Sequence, residues 1–348
     1  MFKLASFVRP NILSMKAYSS ARSEFDGKEA VFLDANENPY GLYNRYPDPK
    51  QTALRQKLSD IKGLSMDNMV LGNGSDEILD LIFRLFCIPG KDKVLSLNPS
   101  YGMYDVGANL NDIQHIKYPL DKEGNFDTSD LLARAEAENV KMLLLCSPNN
   151  PMGNILPEIE TILENFNGLV LIDEAYIDFC PEHSWIKGLE RYPNLMIMQT
   201  LSKAWGMAAL RIGILMASKE IIDLVNRIKP PYNISLPTQE LALEGISNKQ
   251  GYEDNKQRII EERERMFRIL CRMDMVKRVY PSVTNFILFT VEDPYLVYNT
   301  LRELGIVIRN RDSQVKGGLR ISVGSQKEND LFIKELIKLE NEKNLIYR

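Results

Sequence analysis

The sequence predicts an α/β protein in two parts. The larger has a mostly parallel sheet flanked by helices; the smaller is an α+β domain built from both termini. Three observations carry this. Short apolar runs recur between residues 68 and 217 with helical patterns between them, the signature of α/β units around a parallel sheet. From about residue 250 that alternation gives way to a long charged helix and a new set of strands. The chain has 348 residues and is 44% apolar, long enough for two cores.

The first 44 residues show little periodicity and are expected to pack on the smaller domain, as an N-terminal segment 1–44. The larger domain is expected over 45–245. NMVLGNG ends on glycines and leads into SDEILDLIFRLFC, which has helical spacing. KVLSLNP, the short helix YGMYDVGANL and IQHIKYP follow. KMLLLCSPNN, GLVLIDEAY, NLMIMQT and RIGILMA are further strands. Ligands of such sheets bind beyond the carboxyl ends of the strands, where several polar clusters stand. The smaller domain is expected over 246–348. It opens with the amphipathic helix NKQGYEDNKQRIIEERERMFRILCRM. VKRVY, NFILFT and GIVIRN read as strands, with a helix from Pro294 to Leu304. LRISVG and the helix KENDLFIKELIKLENEKN close the chain.

Composition narrows the function. A net charge of −4 with scattered basic residues argues against nucleic acid and membrane surfaces as partners. The four cysteines form no CxxC pair, which speaks against zinc or a redox motif and suits a reducing, cytoplasmic setting. The opening MFKLASFVRPN is too short an apolar run for a signal peptide. No run approaches the roughly 18 apolar residues of a membrane span. Two histidines leave little material for a metal site, and none is expected.

Four motifs carry chemistry, each weak alone. In LIDEAY, residues 171–176, Asp173 ends an apolar strand and would serve as well for a helix cap. An acid there could also hold magnesium in a nucleotide hydrolase, but the required GxxxxGK[ST] loop is missing. SPNNPMGN, residues 147–154, is a turn that Pro and Gly explain; Asn150 before Pro151 could offer an amide to the same crevice. GNGSDE, residues 72–77, opens a helix, and Ser75 or Asp76 can cap it. Free amides at such a start also bind anions. In SKAWGMAALR, residues 202–211, Lys203 and Arg211 stand among apolar neighbours. Burying a charge is costly unless it is paired or neutralised. A buried lysine becomes a neutral amine that attacks a carbonyl; a buried arginine needs a permanent anion. A Schiff-base lysine, a phosphate-holding arginine, a ring-nitrogen acid (Asp173) and hydroxyl partners (Asn150, Tyr176) together describe pyridoxal 5'-phosphate.

NNPMG, LIDEAY and TLSKAWGMAALR closely resemble the fold type I, aspartate-aminotransferase-like pyridoxal-phosphate enzymes. RPNILSMKAYSSAR, LDANENPYG, NRYPDP, PSYGMY and GLRISVG extend the likeness over most of the chain and point to the branch acting on histidinol phosphate. The resemblance implies that Lys203 forms the Schiff base and shuttles the proton at Cα. Asp173 keeps the pyridine nitrogen protonated. Asn150 and Tyr176 bond the ring hydroxyl, and Tyr101 covers the ring. Ser75, Asp76, Ser202 and Arg211 cradle the phosphate. Tyr46 reaches the neighbouring subunit's cofactor, making the active unit a homodimer. Arg320 holds the glutamate carboxylate in one half-reaction and the substrate phosphate in the other, with Arg309 and Tyr18 assisting; alone, either arginine can be read as a surface ion pair, Arg309 as readily as a substrate ligand. The implied reaction moves the amino group of L-histidinol phosphate to 2-oxoglutarate, giving imidazole-acetol phosphate and glutamate. An aromatic aminotransferase or a phosphothreonine decarboxylase would use the same core residues. Two positions depart from the family pattern: Met152 stands where threonine is more usual, and Ala208-Ala209 replaces a step that carries glycine.

Overall fold

The computed structural model describes residues 2–16 and 31–346, with side chains through Glu342. Eleven helices and eleven strands make up the described chain, apart from short 3-10 turns. After α1 (Pro10–Leu13) come α2 (Thr52–Lys62), β1 (Met69–Asn73), α3 (Gly74–Phe86) and β2 (Lys93–Asn98). Next are α4 (Met103–Leu110), β3 (Gln114–Pro119), α5 (Thr128–Ala137), β4 (Val140–Cys146), α6 (Ile159–Asn165) and β5 (Leu169–Asp173). β6 (Leu195–Thr200), β7 (Ile212–Ala217), α7 (Lys219–Ile228) and α8 (Leu236–Ser247) follow. The rest comprises α9 (Lys249–Leu270), β8 (Val276–Val279), β9 (Phe286–Val291), α10 (Pro294–Glu303), β10 (Arg309–Asn310), β11 (Gly318–Ser322) and α11 (Gln326–Ile346).

Strands β1 to β7 form one sheet in the order β1-β7-β6-β5-β4-β2-β3. Only β7 runs against its neighbours β1 and β6; the other pairs are parallel. The apolar runs explain this layer. A parallel strand covered on both faces needs apolar side chains in both directions, and every residue of β5 and β6 is buried. Within β5, Val170 and Ile172 enter one core cluster while Leu169 and Leu171 enter the other, on the opposite face. On the second face, α3 packs Ile78, Ile82, Phe83 and Phe86 against the sheet. The helix starts are chemically marked: Asp127 caps α5 by accepting from the Asp130 amide at 2.9 Å, and Ser235 caps α8.

The second sheet is antiparallel, in the order β10-β11-β9-β8. Its core joins Phe289, Leu319 and Ile321 to Met266 and Leu270 of α9, Val297 and Leu301 of α10, and Phe332 and Leu336 of α11. β10 pairs with β11 so that Arg309 lies directly opposite Arg320.

The N-terminal segment departs from expectation over residues 2–16. It packs on the larger part, not the smaller. Val8 and Ile12 are buried in the cluster that contains α3 and α7. The Arg9 amide donates to the Leu85 carbonyl at 3.1 Å, satisfying an orphaned acceptor at the end of α3. Arg227 Nη1 donates to the carbonyls of Ile12 and Leu13 at 3.2 and 3.0 Å. Val8 ahead of α1 and Ile12 within it both need apolar cover, and α3 and α7 supply it. No helix of the described residues is long and apolar enough to cross a membrane.

Leu171 is fully buried in the central strand β5. Leu171→Ala is expected to lower unfolding free energy by about 2–5 kcal/mol, measured by urea titration.

Candidate active site

The carboxyl ends of β2, β4, β5 and β6 open on one crevice, and each delivers a side chain from the motifs above. Asp173 ends β5 and is 3% exposed. Its Oδ2 accepts from the Tyr104 hydroxyl at 2.8 Å and its Oδ1 from the Ala175 amide at 3.1 Å. Burial pushes this carboxyl up to about 6; the Tyr104 bond, the Ala175 amide and the charge of Lys203 work against that rise. Glu174 points the other way, as alternation along a strand requires. It accepts from the Trp185 amide (2.6 Å), Gln199 Nε2 (2.7 Å) and Ser184 Oγ (2.8 Å). Burial raises it to about 7.

The start of α3 lies beside Arg211. The Gly74 amide donates to the Arg211 carbonyl at 2.7 Å, and Arg211 Nη2 stands 3.3 Å from Asp76 Oδ2. Tyr101 donates to Asp76 Oδ1 at 3.0 Å. Two glycines permit this contact. A Cβ on Gly74 (φ +77°) would meet Arg211 Nη2 at 2.5 Å, and one on Gly213 would meet the Gly74 and Ser75 backbone at 2.5–2.6 Å. The first-turn amides of Ser75 and Asp76 face no earlier helical turn, so they are free to bind an anion. Ser202 Oγ lies 3.0 Å from Thr200 Oγ1 at the end of β6.

Lys203 follows β6, with Nζ 5.6 Å from the centroid of the Tyr176 ring. Its ammonium is held below the ordinary lysine range, first by burial and then by the charge of Arg320. It forms no ion pair among the described residues. Asn150 Nδ2 approaches the Tyr176 hydroxyl at 3.5 Å, and Asn150 Oδ1 accepts from Arg320 Nη1. Tyr176 packs edge-on against Phe286, and the Arg320 guanidinium lies over that same ring at 5.1 Å.

Asp173, Asn150, Tyr176, Lys203, Tyr101, Asp76, Arg211 and Arg320 therefore form one connected set, with Ser75 and Ser202 at its rim. One expectation about them fails: Arg211 is not buried. Its side chain is 47% exposed. The residue takes a left-handed conformation (φ 54°, ψ 54°) after a single 3-10 turn, which turns the side chain out over Gly74. Arg309 is also exposed, opposite Arg320 on the sheet edge. Tyr46 stacks on Tyr232 with centroids 4.5 Å apart and is half exposed. Tyr18 lies outside the described residues. The Met152 departure leaves its turn intact: the side chain is buried, and the turn closes through the Met152 amide and Asn149 Oδ1 at 3.1 Å.

Three residues escaped the sequence reading. Tyr104 is fully buried against Asp173, one helical turn beyond Tyr101 in PSYGMY; that spacing was its only signal. Glu174 directly follows Asp173 in LIDEAY and carried no signal of its own. Arg311 sits two residues after Arg309, and burial, Arg320 and Arg309 hold it down to about 10. The Nε atoms of Arg311 and Arg320 are both buried without a hydrogen-bond partner. Neither arginine is in an ion pair among the described residues.

A deep carboxylate facing a depressed lysine, with an anion cradle at a helix start, belongs to a known lineage. Residues 23–336 match the family "Aminotransferase class I and II", and the chain belongs to that family: it is an aminotransferase. Within it, the chain groups with the histidinol-phosphate aminotransferases. It is 47% identical over 338 residues to the enzyme of that name from Parabacteroides distasonis, covering 96% of this chain and 98% of the relative. The Christiangramia forsetii counterpart is 47% identical over 349 residues, covering 98% and 99%. Among solved structures, histidinol-phosphate aminotransferase from Sinorhizobium meliloti, in complex with pyridoxal-5'-phosphate, superposes with a TM-score of 0.78. That match has 25% identity over 86% of this chain and 83% of the other.

Asp173 and Glu174 both hold protons at higher pH folded than unfolded. Their stabilising share is complete below the ordinary values of 3.8 and 4.5. It is lost as pH rises through about 6 and about 7 respectively. Glu174→Gln removes one of these protonation sites, so its unfolding free energy should fall less than the wild type's between pH 5 and pH 8 (about these bounds), as read by urea titrations across that range.

Proposed function

We propose that this aminotransferase uses pyridoxal 5'-phosphate to move the amino group of L-histidinol phosphate to 2-oxoglutarate. The products are imidazole-acetol phosphate and L-glutamate, a step of histidine biosynthesis. The names and near full-length coverage of the relatives support the substrate. The observation that carries the chemistry is the buried Asp173 carboxylate within electrostatic reach of Lys203.

The residues fit this cofactor. A carboxyl pushed up by burial, yet held by two donors, suits a ring nitrogen that must keep its proton. The space that Gly74 and Gly213 leave for Arg211 and the start of α3 suits a phosphate. When bound, the cofactor supplies an aldehyde that accepts amino groups and a ring that takes up the electron pair released at Cα.

The chain's own residues have distinct tasks in this reading. Asp173 holds the proton on the ring nitrogen, and Tyr104 fixes the carboxylate that does so. Asn150 and Tyr176 bond the ring hydroxyl, while Tyr101 covers one ring face. Ser75 and Asp76 through their amides, Ser202 through its hydroxyl and Arg211 through its fork hold the phosphate. Lys203 would take up and give back the proton at the substrate Cα. Its depressed ammonium makes the neutral amine available for that work. Arg320 binds the carboxylate or phosphate of each substrate in turn, with Arg309, Arg311 and Tyr18 around the same anion. Two buried Nε atoms without partners support an anion at Arg311 and Arg320. The active form is a cytoplasmic homodimer in which Tyr46 of one subunit reaches the cofactor phosphate of the other. The residues divide as a larger cofactor-binding domain and a smaller domain from about residue 246.

Lys203→Ala should lower turnover by roughly 10² to 10⁴-fold or more, in an assay offering histidinol phosphate, phenylalanine or phosphothreonine to the wild type as well. Preference for phenylalanine, or release of carbon dioxide from phosphothreonine, would overturn the substrate. Arg320→Ala should raise KM for both histidinol phosphate and glutamate roughly tenfold or more, because both place an anion there. A change confined to one of them would refute the shared anion site.

A further inference from the structure

Lys50, Arg55, Arg227 and Lys229 ring one cavity of about 400 Å³ on the larger part of the fold. Its walls come from Pro49–Gln51 ahead of α2, from Asp67 and Val70 at the start of β1, and from Ile222 to Arg227 on α7. Among the described residues none of the four cations is in an ion pair. Backbone carbonyls and an amide hold three of them, Arg55, Arg227 and Lys229. Arg55 Nη1 donates to the Lys50 carbonyl at 3.3 Å and Nη2 to that of Met66. Arg227 donates to the carbonyls of Ile12 and Leu13, and Lys229 Nζ to Asn233 Oδ1 at 2.9 Å. A neutral acceptor aims a cation without cancelling its charge.

Four acids stand around the wall, and none forms an ion pair with the four cations among the described residues; Asp48 and Glu77 act on Lys229 at a distance. Asp223 is taken by Lys219, at 3.0 Å through both oxygens. Asp67 acts on Arg55 at a distance only. Asp48 accepts from the Thr52 and Lys50 amides at 2.6 and 2.8 Å, and Glu77 from the Asn73 amide and Asn233 Nδ2. The lining itself holds four cations against two carboxylates, Asp67 and Asp223, and its size falls in the range of small-molecule sites.

We propose that this cavity is a second binding site, for a small phosphate-bearing anion. Two planar forks and two ammonium groups match the several oxygens of a phosphate group. Burial holds Lys229 down to about 8, so it is charged at neutral pH but under-solvated, a state that a bound anion relieves. The inference does not rest on the reaction proposed above.

Calorimetric titration of the cofactor-loaded protein with inorganic phosphate, and separately with glycerol phosphate, tests it. The titrations are run in the Arg320→Ala background to remove binding at the crevice. One binding event should survive that substitution. It should weaken roughly tenfold in Lys229→Gln, which keeps a donor for Asn233, or in Lys50→Gln, at an exposed position. Equal affinity for the two probes identifies free phosphate as the ligand class; tighter glycerol phosphate identifies a phosphate ester. Absence of binding in the Arg320→Ala protein, or an isotherm that neither lysine substitution changes, overturns the proposal.

Discussion

A carboxylate taken out of water at the end of a strand is costly unless donors meet it, and this fold is arranged around meeting Asp173. The Tyr104 hydroxyl reaches it from α4 and the Ala175 amide from the loop after β5. Those two bonds fix α4 against the sheet and set the path of the chain toward Tyr176. Glu174 extends the constraint to the opposite side, tying β5 to Gln199 of β6 and to the segment at Ser184 and Trp185. Lys203 is reached four residues beyond Gln199, so its position follows from the same pair of acids.

Periodicity made the larger sheet legible because its strands are buried on both faces, and unbroken apolar runs such as LVLID and LMIMQT record that directly. The antiparallel turn of β7 left no such trace: its run IGILMA is as apolar as its neighbours, and direction is set by connection length, not composition. The N-terminal segment was misread for a related reason. Two apolar residues, Val8 and Ile12, do not say which surface they cover; the exposed carbonyls at the ends of α1 and α3 decide it.

The crevice was legible where chemistry restricts the residue type, as at Lys203, Asp173 and Asn150. It was illegible where a side chain acts through another. Tyr104 reads as core because it is core, and only its contact with Asp173 gives it a further task. Arg211 shows the reverse. Its apolar neighbours suggested depth, yet a left-handed backbone at one residue swings the guanidinium outward over Gly74. Composition reports what surrounds a residue along the chain, while a single dihedral decides what surrounds it in space.

Strand β10 places Arg309 directly across from Arg320. Like charges facing each other across a ladder repel, and the pairing extends for only two residues. The edge of the smaller sheet is thus held against its own electrostatics, and any oxyanion settling there acts as a counterion that lets the rim knit together.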